Sequence, residues 1–268
     1  MGRMLRNYDK KNRRLVYHGN PANESFWEKH WNEYTIERVY PRYLSKLDYV
    51  VSISKKYLQK GAIVLEGGCG VGQQVSKLQQ LGYNVIGIDY AKETVEFVNK
   101  HKPDLDIRTG DVRKLQFPDN HFDAYWSFGV IEHFYNGFEA IALEAKRVLK
   151  ENGLLFLTFP HMSFIRKLKA NLILYKKWNE DDKGNFYQFA LDTKKTCAYF
   201  ESIGFKLIRK KGLDGAKGFK DEAGFLKPVL QKIYDGKSLP LKAINMFFSV
   251  LFSGFASHSV LLVFKKQS

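Results

Sequence analysis

Between residues 62 and 159, short apolar runs alternate with segments whose apolar positions recur every three or four residues, the pattern of strands and helices taken in turn. Ala62-Ile63-Val64-Leu65-Glu66 is apolar up to its last residue and reads as a strand buried on both faces. Val71, Val75 and Leu78 then share a helical face, Gly82 stops that helix, and Asn84 to Asp89 reads as a second buried strand. Phe122 to Ser127 is a later strand, and the helix after it carries Phe138, Ile141, Ala142, Ala145, Val148 and Leu149 on one stripe. Asn136 and Glu139 have capping-box spacing at its start, and Asn152-Gly153 makes the turn before the strand Leu154 to Phe159. Farther on, Asp192 is placed to cap a helix bearing Thr196, Tyr199, Phe200 and Ile203. Gly204 closes that helix, Phe205 to Ile208 follow as a strand, and Val260 to Phe264 form the last one.

Strands alternating with helices predict an α/β fold around a parallel sheet. Residues 1–60, 161–190 and 211–258 depart from this rhythm and are rich in aromatic and basic residues, so they read as additions: 1–60 as a helical lid or extension, the other two as substrate-side insertions in a domain spanning 61–268. Charge follows the same division. The net charge is +15, with 13 Lys and Arg against 6 acids in 1–60, 10 against 13 in 61–160 and 20 against 9 in 161–268. A slightly acidic centre between basic flanks makes an acidic partner plausible, while dispersed surface lysines also serve solubility alone. Two distant cysteines, Cys69 and Cys197, give neither a disulfide framework nor paired zinc-ligand spacing, and no metal is expected. The basic N-terminus has no apolar run of a secretory signal, and Arg6 stands where a myristoylation motif wants Ser or Thr, so a cytoplasmic location is expected.

Glu66-Gly67-Gly68-Cys69-Gly70-Val71-Gly72 sets glycines at alternate positions between a strand and a helix, where a ligand can approach the backbone and the helix N-terminus. A dinucleotide fingerprint requires a further glycine where Gln73 stands, which argues against NAD. Acids close three strands, Glu66, Asp89 and Asp111, at the strand ends where open α/β sheets bind ligands. An ionised Asp89 offers two acceptor oxygens to the adjacent hydroxyls of a ribose.

These segments resemble the class I S-adenosylmethionine-dependent methyltransferases over roughly residues 62–160. Val64 to Gly72 is similar to the family's first motif, Gly87-Ile88-Asp89 to its second, and Gly110-Asp111-Val112 to its adenine-contacting segment. Phe122 to His133 is similar to the fourth-strand motif. Arg147-Val148-Leu149-Lys150-Glu151-Asn152-Gly153 resembles the family's Arg-Val-Leu-Lys-Pro-Gly-Gly, with Glu and Asn replacing Pro and the first Gly. The resemblance implies a Rossmann-like, doubly wound, mostly parallel seven-stranded sheet with helices on both faces and an antiparallel last strand. It implies S-adenosyl-L-methionine as cofactor, held by Glu66, Gly68 and Gly70 at the methionine end, Asp89 at the ribose, and Asp111 with the Val112 backbone at the adenine, with Cys69, Gly72 and Tyr90 also among the cofactor-binding residues. Ser127 would line the methyl-delivering end. An acidic cradle suits a sulfonium cation.

Methyl transfer from a sulfonium is an in-line displacement in which placement and exclusion of water matter most. His133, after the fourth strand, is the leading candidate for general base or acceptor positioning, and His161 after the fifth is the second; packing roles suit both equally well. The chain lacks the Asn/Asp-Pro-Pro-Tyr sequence of amino-methylating nucleic-acid enzymes and has no cysteine placed for cytosine C5 chemistry. The motifs most resemble methyltransferases of metabolic and surface-polysaccharide pathways, and that resemblance implies a small-molecule, glycan or lipid-linked acceptor. The alternatives are an RNA or protein acceptor drawn to the basic flanks and a non-catalytic cofactor-binding module. No pattern sets an oligomeric state. Phe26, Trp27, His30, Trp31 and Tyr34 share a face if residues 23–34 are helical, a lid or an ordinary packing face. Residues 243–264 contain no Asp, Glu, Lys or Arg, but a spanning helix would take the last strand from the sheet. Ile244 to Phe252 is expected as a packed core helix, with peripheral contact at the inner membrane surface as the alternative.

Overall fold

The computed structural model describes residues 5–31, 40, 48–236 and 238–268. Two short strands open the chain, β1 (Arg6–Asp9) and β2 (Arg14–His18), followed by α1 (Glu24–Trp31) and α2 (Tyr49–Tyr57). The alternating region supplies β3 (Ile63–Gly67), α3 (Gln73–Gln80), β4 (Asn84–Asp89), α4 (Lys92–His101), β5 (Asp106–Thr109), β6 (Phe122–Phe128), α5 (Glu139–Val148) and β7 (Leu149–Pro160). Then come α6 (Phe164–Asn171), β8 (Lys176–Lys177), β9 (Phe186–Ala190), α7 (Thr193–Ser202) and β10 (Phe205–Leu213). The chain ends with α8 (Gly215–Glu222), α9 (Lys227–Asp235), α10 (Leu239–Leu251) and β11 (Ser259–Lys266).

Seven strands form one sheet in the order β10-β11-β7-β6-β3-β4-β5. β3 through β7 run parallel, while β11 is antiparallel to both its neighbours, as the sequence leads one to expect. The direction of winding reverses between β3 and β6, the place where such sheets open a ligand crevice. One face buries Phe122, Phe200 and Phe264, with Phe138 stacked on Phe200 at 5.8 Å. The other buries Trp126 and Phe156, stacked at 4.2 Å. Asp192 caps α7 by accepting from the Lys194 and Lys195 amides. The Asn136–Glu139 capping box does not form: Phe138 occupies the cap position of α5 without a side-chain bond, and Gly137 turns the chain just before it at φ +109°.

The N-terminal extension, expected as a helical lid or extension, carries two strands ahead of its helices. A hairpin joins β1 to β2, and Asp9 holds its turn by accepting from the Asn12 amide and side chain and from Arg14. β2 continues into β9, and β1 takes β8 on its other side, so 6–18 and 176–190 build a second, four-stranded sheet. Leu15 and Val16 are fully buried in it. β9 is joined to the end of β7 by the Leu191 amide donating to the Pro160 carbonyl and the Met162 amide to that of Leu191. This places the small sheet beside the carboxyl edge of the large one.

Beneath that edge, the fully buried Arg166 of α6 meets Glu222 of α8 at 3.2 Å and donates to the His161 and His258 carbonyls. Arg6, Lys169 and the Tyr175 hydroxyl converge on the same carboxylate. α10 corrects a further expectation. None of its residues is buried, and Leu239, Phe247, Val250 and Leu251 are mostly exposed, because it packs against α8 and α9 instead of the sheet. Among the described residues no helix is long and apolar enough to cross a membrane.

Candidate active site at the carboxyl edge of the sheet

The loop after β3 turns through positive φ at Gly68, Gly70 and Gly72, at +74°, +50° and +72°. A side chain at Gly68 would meet Val130 at 2.5 Å, and one at Gly70 would meet the Trp31 indole at 2.5 Å. The Gly68 and Cys69 amides donate to the Ile88 carbonyl at 2.7 and 3.0 Å, and the Gly70 amide donates to Asp89 Oδ2 at 2.7 Å. The second oxygen of Asp89 accepts from the Ala91 amide at 2.9 Å. Asp89 thus pins the glycine loop to the end of β4, and each of its oxygens keeps a lone pair for a ligand. Burial raises its pKa and the backbone amides oppose the rise.

Beside this loop lies a cavity of about 970 Å³. Gly68, Asp89, Tyr90, Asp111 and Val112 stand on its wall, as does His133. Glu66, Cys69, Gly70, Gly72 and Ser127 are close in sequence and space but do not line it. Glu66 and Ser127 are each 2% exposed, and their Oε2 and Oγ atoms have no hydrogen-bond partner among the described residues. Burial pushes the Glu66 carboxyl and the Cys69 thiol well above their ordinary ranges.

Among the described residues the wall carries four carboxylates, Glu24, Asp89, Asp111 and Glu139, against the single guanidinium of Arg113. Arg113 binds Asp111 at 2.6 Å and lowers its pKa. A mostly acidic wall, a side-chain-free approach at Gly68 and buried acceptors behind it fit a cationic ligand with ribose hydroxyls.

Aromatic rings close the remaining wall. Asn23 caps α1 by accepting from the Phe26 amide, and Trp27, His30 and Trp31 face the cavity. Tyr34 lies outside the described residues. Tyr90 fastens the lid from the core by donating to the Ala22 carbonyl at 3.1 Å. Trp27 stands edge-on to His133 at 5.0 Å, and Phe26 edge-on to Tyr187 at 5.6 Å.

Tyr187 was not foreseen. It lies in β9, about 120 residues beyond the glycine loop, and the tertiary pairing of β9 with β2 and with the end of β7 brings it here. The pairing shifts register so that His18 faces Phe186 and Tyr17 faces Gln188, leaving Tyr187 as the extra residue of a β-bulge. Its freed carbonyl accepts a hydrogen bond from His133 Nδ1 at 2.9 Å. That bond fixes the proton on Nδ1 and leaves Nε2 as an acceptor. Burial lowers the His133 pKa to about 4, so the ring is neutral across the physiological range.

His161 is placed differently. It does not line the cavity; its ring lies between Thr193 Oγ1 at 3.0 Å and Ser257 Oγ at 2.8 Å, so both nitrogens are committed to holding β7 against α7 and the start of β11. Among the described residues, 161–190 reach the wall through Tyr187, and none of 211–258 does.

Glu132, next to His133, is 2% exposed, and its Oε2 has no partner among the described residues. Burial raises its pKa from 4.5 to about 8. Between those values the folded state binds more protons than the unfolded one, so this group removes stability as pH rises, with the full penalty reached above about 8. Glu132→Gln is therefore expected to stabilise the protein at pH 9 by on the order of 2 kcal/mol, with the gain vanishing near pH 4. Thermal unfolding of both proteins across that range checks this; a gain that is the same at every pH contradicts it.

Comparison with known proteins agrees with this geometry. Residues 65–157 match a family described as a methyltransferase domain. A probable S-adenosylmethionine-dependent methyltransferase of Mycolicibacterium smegmatis is 29% identical over 161 residues, covering 60% of this chain and 58% of that protein. A malonyl-[acyl-carrier protein] O-methyltransferase of Buchnera aphidicola is 30% identical, covering 58% and 57%. The chain thus spans less than two thirds of either relative. Among solved structures, a SAM-dependent methyltransferase from Archaeoglobus fulgidus superposes with a TM-score of 0.53 at 16% identity, covering 81% of this chain and 91% of that one; this likeness is one of fold.

Proposed function

We propose that this chain, whose residues 65–157 form a class I S-adenosylmethionine-dependent methyltransferase domain, transfers a methyl group to a small-molecule, glycan or lipid-linked acceptor. The observation that carries the proposal is the two-sided cavity, acidic where Asp89 and Asp111 close their strands and aromatic where α1 and Tyr187 cover it. S-adenosyl-L-methionine, when bound, supplies the electrophilic methyl on its sulfonium. Asp89 suits the ribose hydroxyls, and Asp111 with the Val112 backbone suits the adenine edge. Trp27, His133 and Tyr187 then form the wall against which an acceptor rests with water excluded. His133 Nε2 orients an acceptor hydroxyl or amine and takes its proton as the new bond forms. Among the described residues Arg113 is the one Lys or Arg on this wall, which favours a small acceptor over a polyanion.

Calorimetry with S-adenosylmethionine and S-adenosylhomocysteine tests the core of the proposal. Wild type is expected to bind both, and Gly70→Val to bind neither, since its side chain must displace Trp31 at a backbone angle that favours glycine. Undiminished binding by the variant overturns the placement. His133→Ala is expected to lower turnover by about 100-fold or more while leaving S-adenosylhomocysteine affinity nearly unchanged. Because His133 is neutral above about pH 4, it contributes no limb near pH 6.5 to the wild-type rate profile. Unchanged turnover removes it from the reaction.

A further inference from the structure

At the end of α6, Leu172, Ile173 and Leu174 stand in the open, 60%, 86% and 62% exposed. Ile173 sits at φ +56°, a conformation costly for a β-branched residue, so the backbone holds this aliphatic tip outward at the expense of local strain. Phe164 and Leu168 extend the apolar surface along α6, and Phe164 meets Phe255 with ring centres 5.2 Å apart. Phe255 follows α10, whose Met246, Phe247, Val250 and Leu251 continue the surface, tied at the joint by the Ile165 amide donating to the Phe255 carbonyl. Two elements from distant parts of the sequence thus present one apolar face, larger than scattered single hydrophobics would make.

Its surroundings are basic. Lys176 and Lys177 follow the tip directly, Lys242 lies on α10 and Lys232 on α9; all four are exposed, and none forms an ion pair among the described residues. α10 itself contains no acid. The face also has a definite place in the fold. α6 begins just after β7 ends, and the Phe255 joint leads into β11 where Ser259 pairs with Pro160, so the face belongs to the carboxyl edge of the sheet, the edge that opens into the cavity.

We propose that this face docks the protein on the surface of an anionic lipid bilayer, with Leu172-Ile173-Leu174 and the outer side of α10 entering the headgroup boundary and the four lysines pairing with lipid phosphates. Apolar insertion and charge attraction add in such binding, and either alone is weak. A second copy of the chain would place these lysines against one another, which disfavours self-association through the face.

Co-sedimentation with vesicles tests the proposal, using phosphatidylcholine alone and phosphatidylcholine with about a third phosphatidylglycerol. No methyl donor or acceptor is needed, so the outcome is independent of the enzymatic proposal. Wild type is expected to pellet with the anionic vesicles and to stay in solution with the neutral ones. Ile173→Asp combined with Val250→Asp, and separately Lys176→Glu with Lys177→Glu, are each expected to lower partitioning about 10-fold or more. All four positions are exposed, and unchanged circular dichroism and thermal unfolding show that the variants remain folded. Wild type that stays in solution with both vesicles, or folded variants that pellet like wild type, overturns the proposal. So does a dimer in sedimentation velocity that the Ile173/Val250 variant dissolves, for then a second copy covers the face.

Discussion

Replacing Asp89 by alanine is expected to lower affinity for S-adenosylhomocysteine by about 100-fold or more, the loss of two charge-assisted hydrogen bonds at roughly 1.5 to 3 kcal/mol each. Two effects combine. In the proposed binding mode the ribose loses both of its acceptors, and the Gly70 and Ala91 amides lose the carboxylate that holds their loops together. Asp89→Asn separates them: a neutral amide still accepts one backbone bond but cannot grip two hydroxyls, so an intermediate loss is expected. Titration calorimetry on wild type and both variants checks this, and affinity unchanged in Asp89→Ala would show that the ligand is held elsewhere.

The largest effect on stability is expected at Glu222. Its side chain and that of Arg166 are both fully inaccessible, and Arg6, Lys169 and Tyr175 share its two oxygens. Removing one member of such a group leaves charges buried without compensation, and Glu222→Ala is expected to cost ~3–5 kcal/mol in urea unfolding. Burial alone would raise the Glu222 pKa, but Arg6, Arg166 and Lys169 outweigh it and hold the carboxyl below its ordinary 4.5. The stability it contributes is therefore present above that value and lost as pH falls through the folded-state pKa, so the variant is expected to lose most of its disadvantage in acid. A pH-independent difference of under about 1 kcal/mol would show the cluster to be dispensable.

Most of the central sheet was legible because its strands are defined by neighbours in sequence, whereas Asp106–Thr109 has one buried apolar residue and was implied only by Asp111 after it. Ile63 to Glu66 and Val85 to Asp89 are apolar runs closed by an acid, and Gly82, Asp192 and Gly204 punctuate the helices by local chemistry alone. β1 and β2 were not legible for the opposite reason. Arg6-Asn7-Tyr8-Asp9 has no apolar alternation, and Leu15-Val16-Tyr17 is too short a run to distinguish strand from helix, so their pairing is decided by β9, some 170 residues later. α10 misled for a related reason: an apolar helix is ordinarily buried, and nothing within its sequence says that its neighbours leave it uncovered. In the site, the strand-end acids and the glycine loop could be found from spacing. The aromatic half of the wall could not be assigned, because Trp27 and Tyr187 belong to different additions that only tertiary pairing unites.

The bulge at Tyr187 makes the tautomer of the His133 imidazole, the proposed base, depend on the length of a strand. The atom that selects the His133 tautomer is a main-chain carbonyl, present whatever side chain stands at 187, so substitution there alters the packing of the wall but leaves the acceptor in place. Loss of one residue from β9 would restore a regular ladder, engage that carbonyl with β2 and free the imidazole to carry its proton on either nitrogen. The property most exposed to change here is thus a residue count, and insertions and deletions between 186 and 190 would act on the chemistry more directly than replacement of any one side chain.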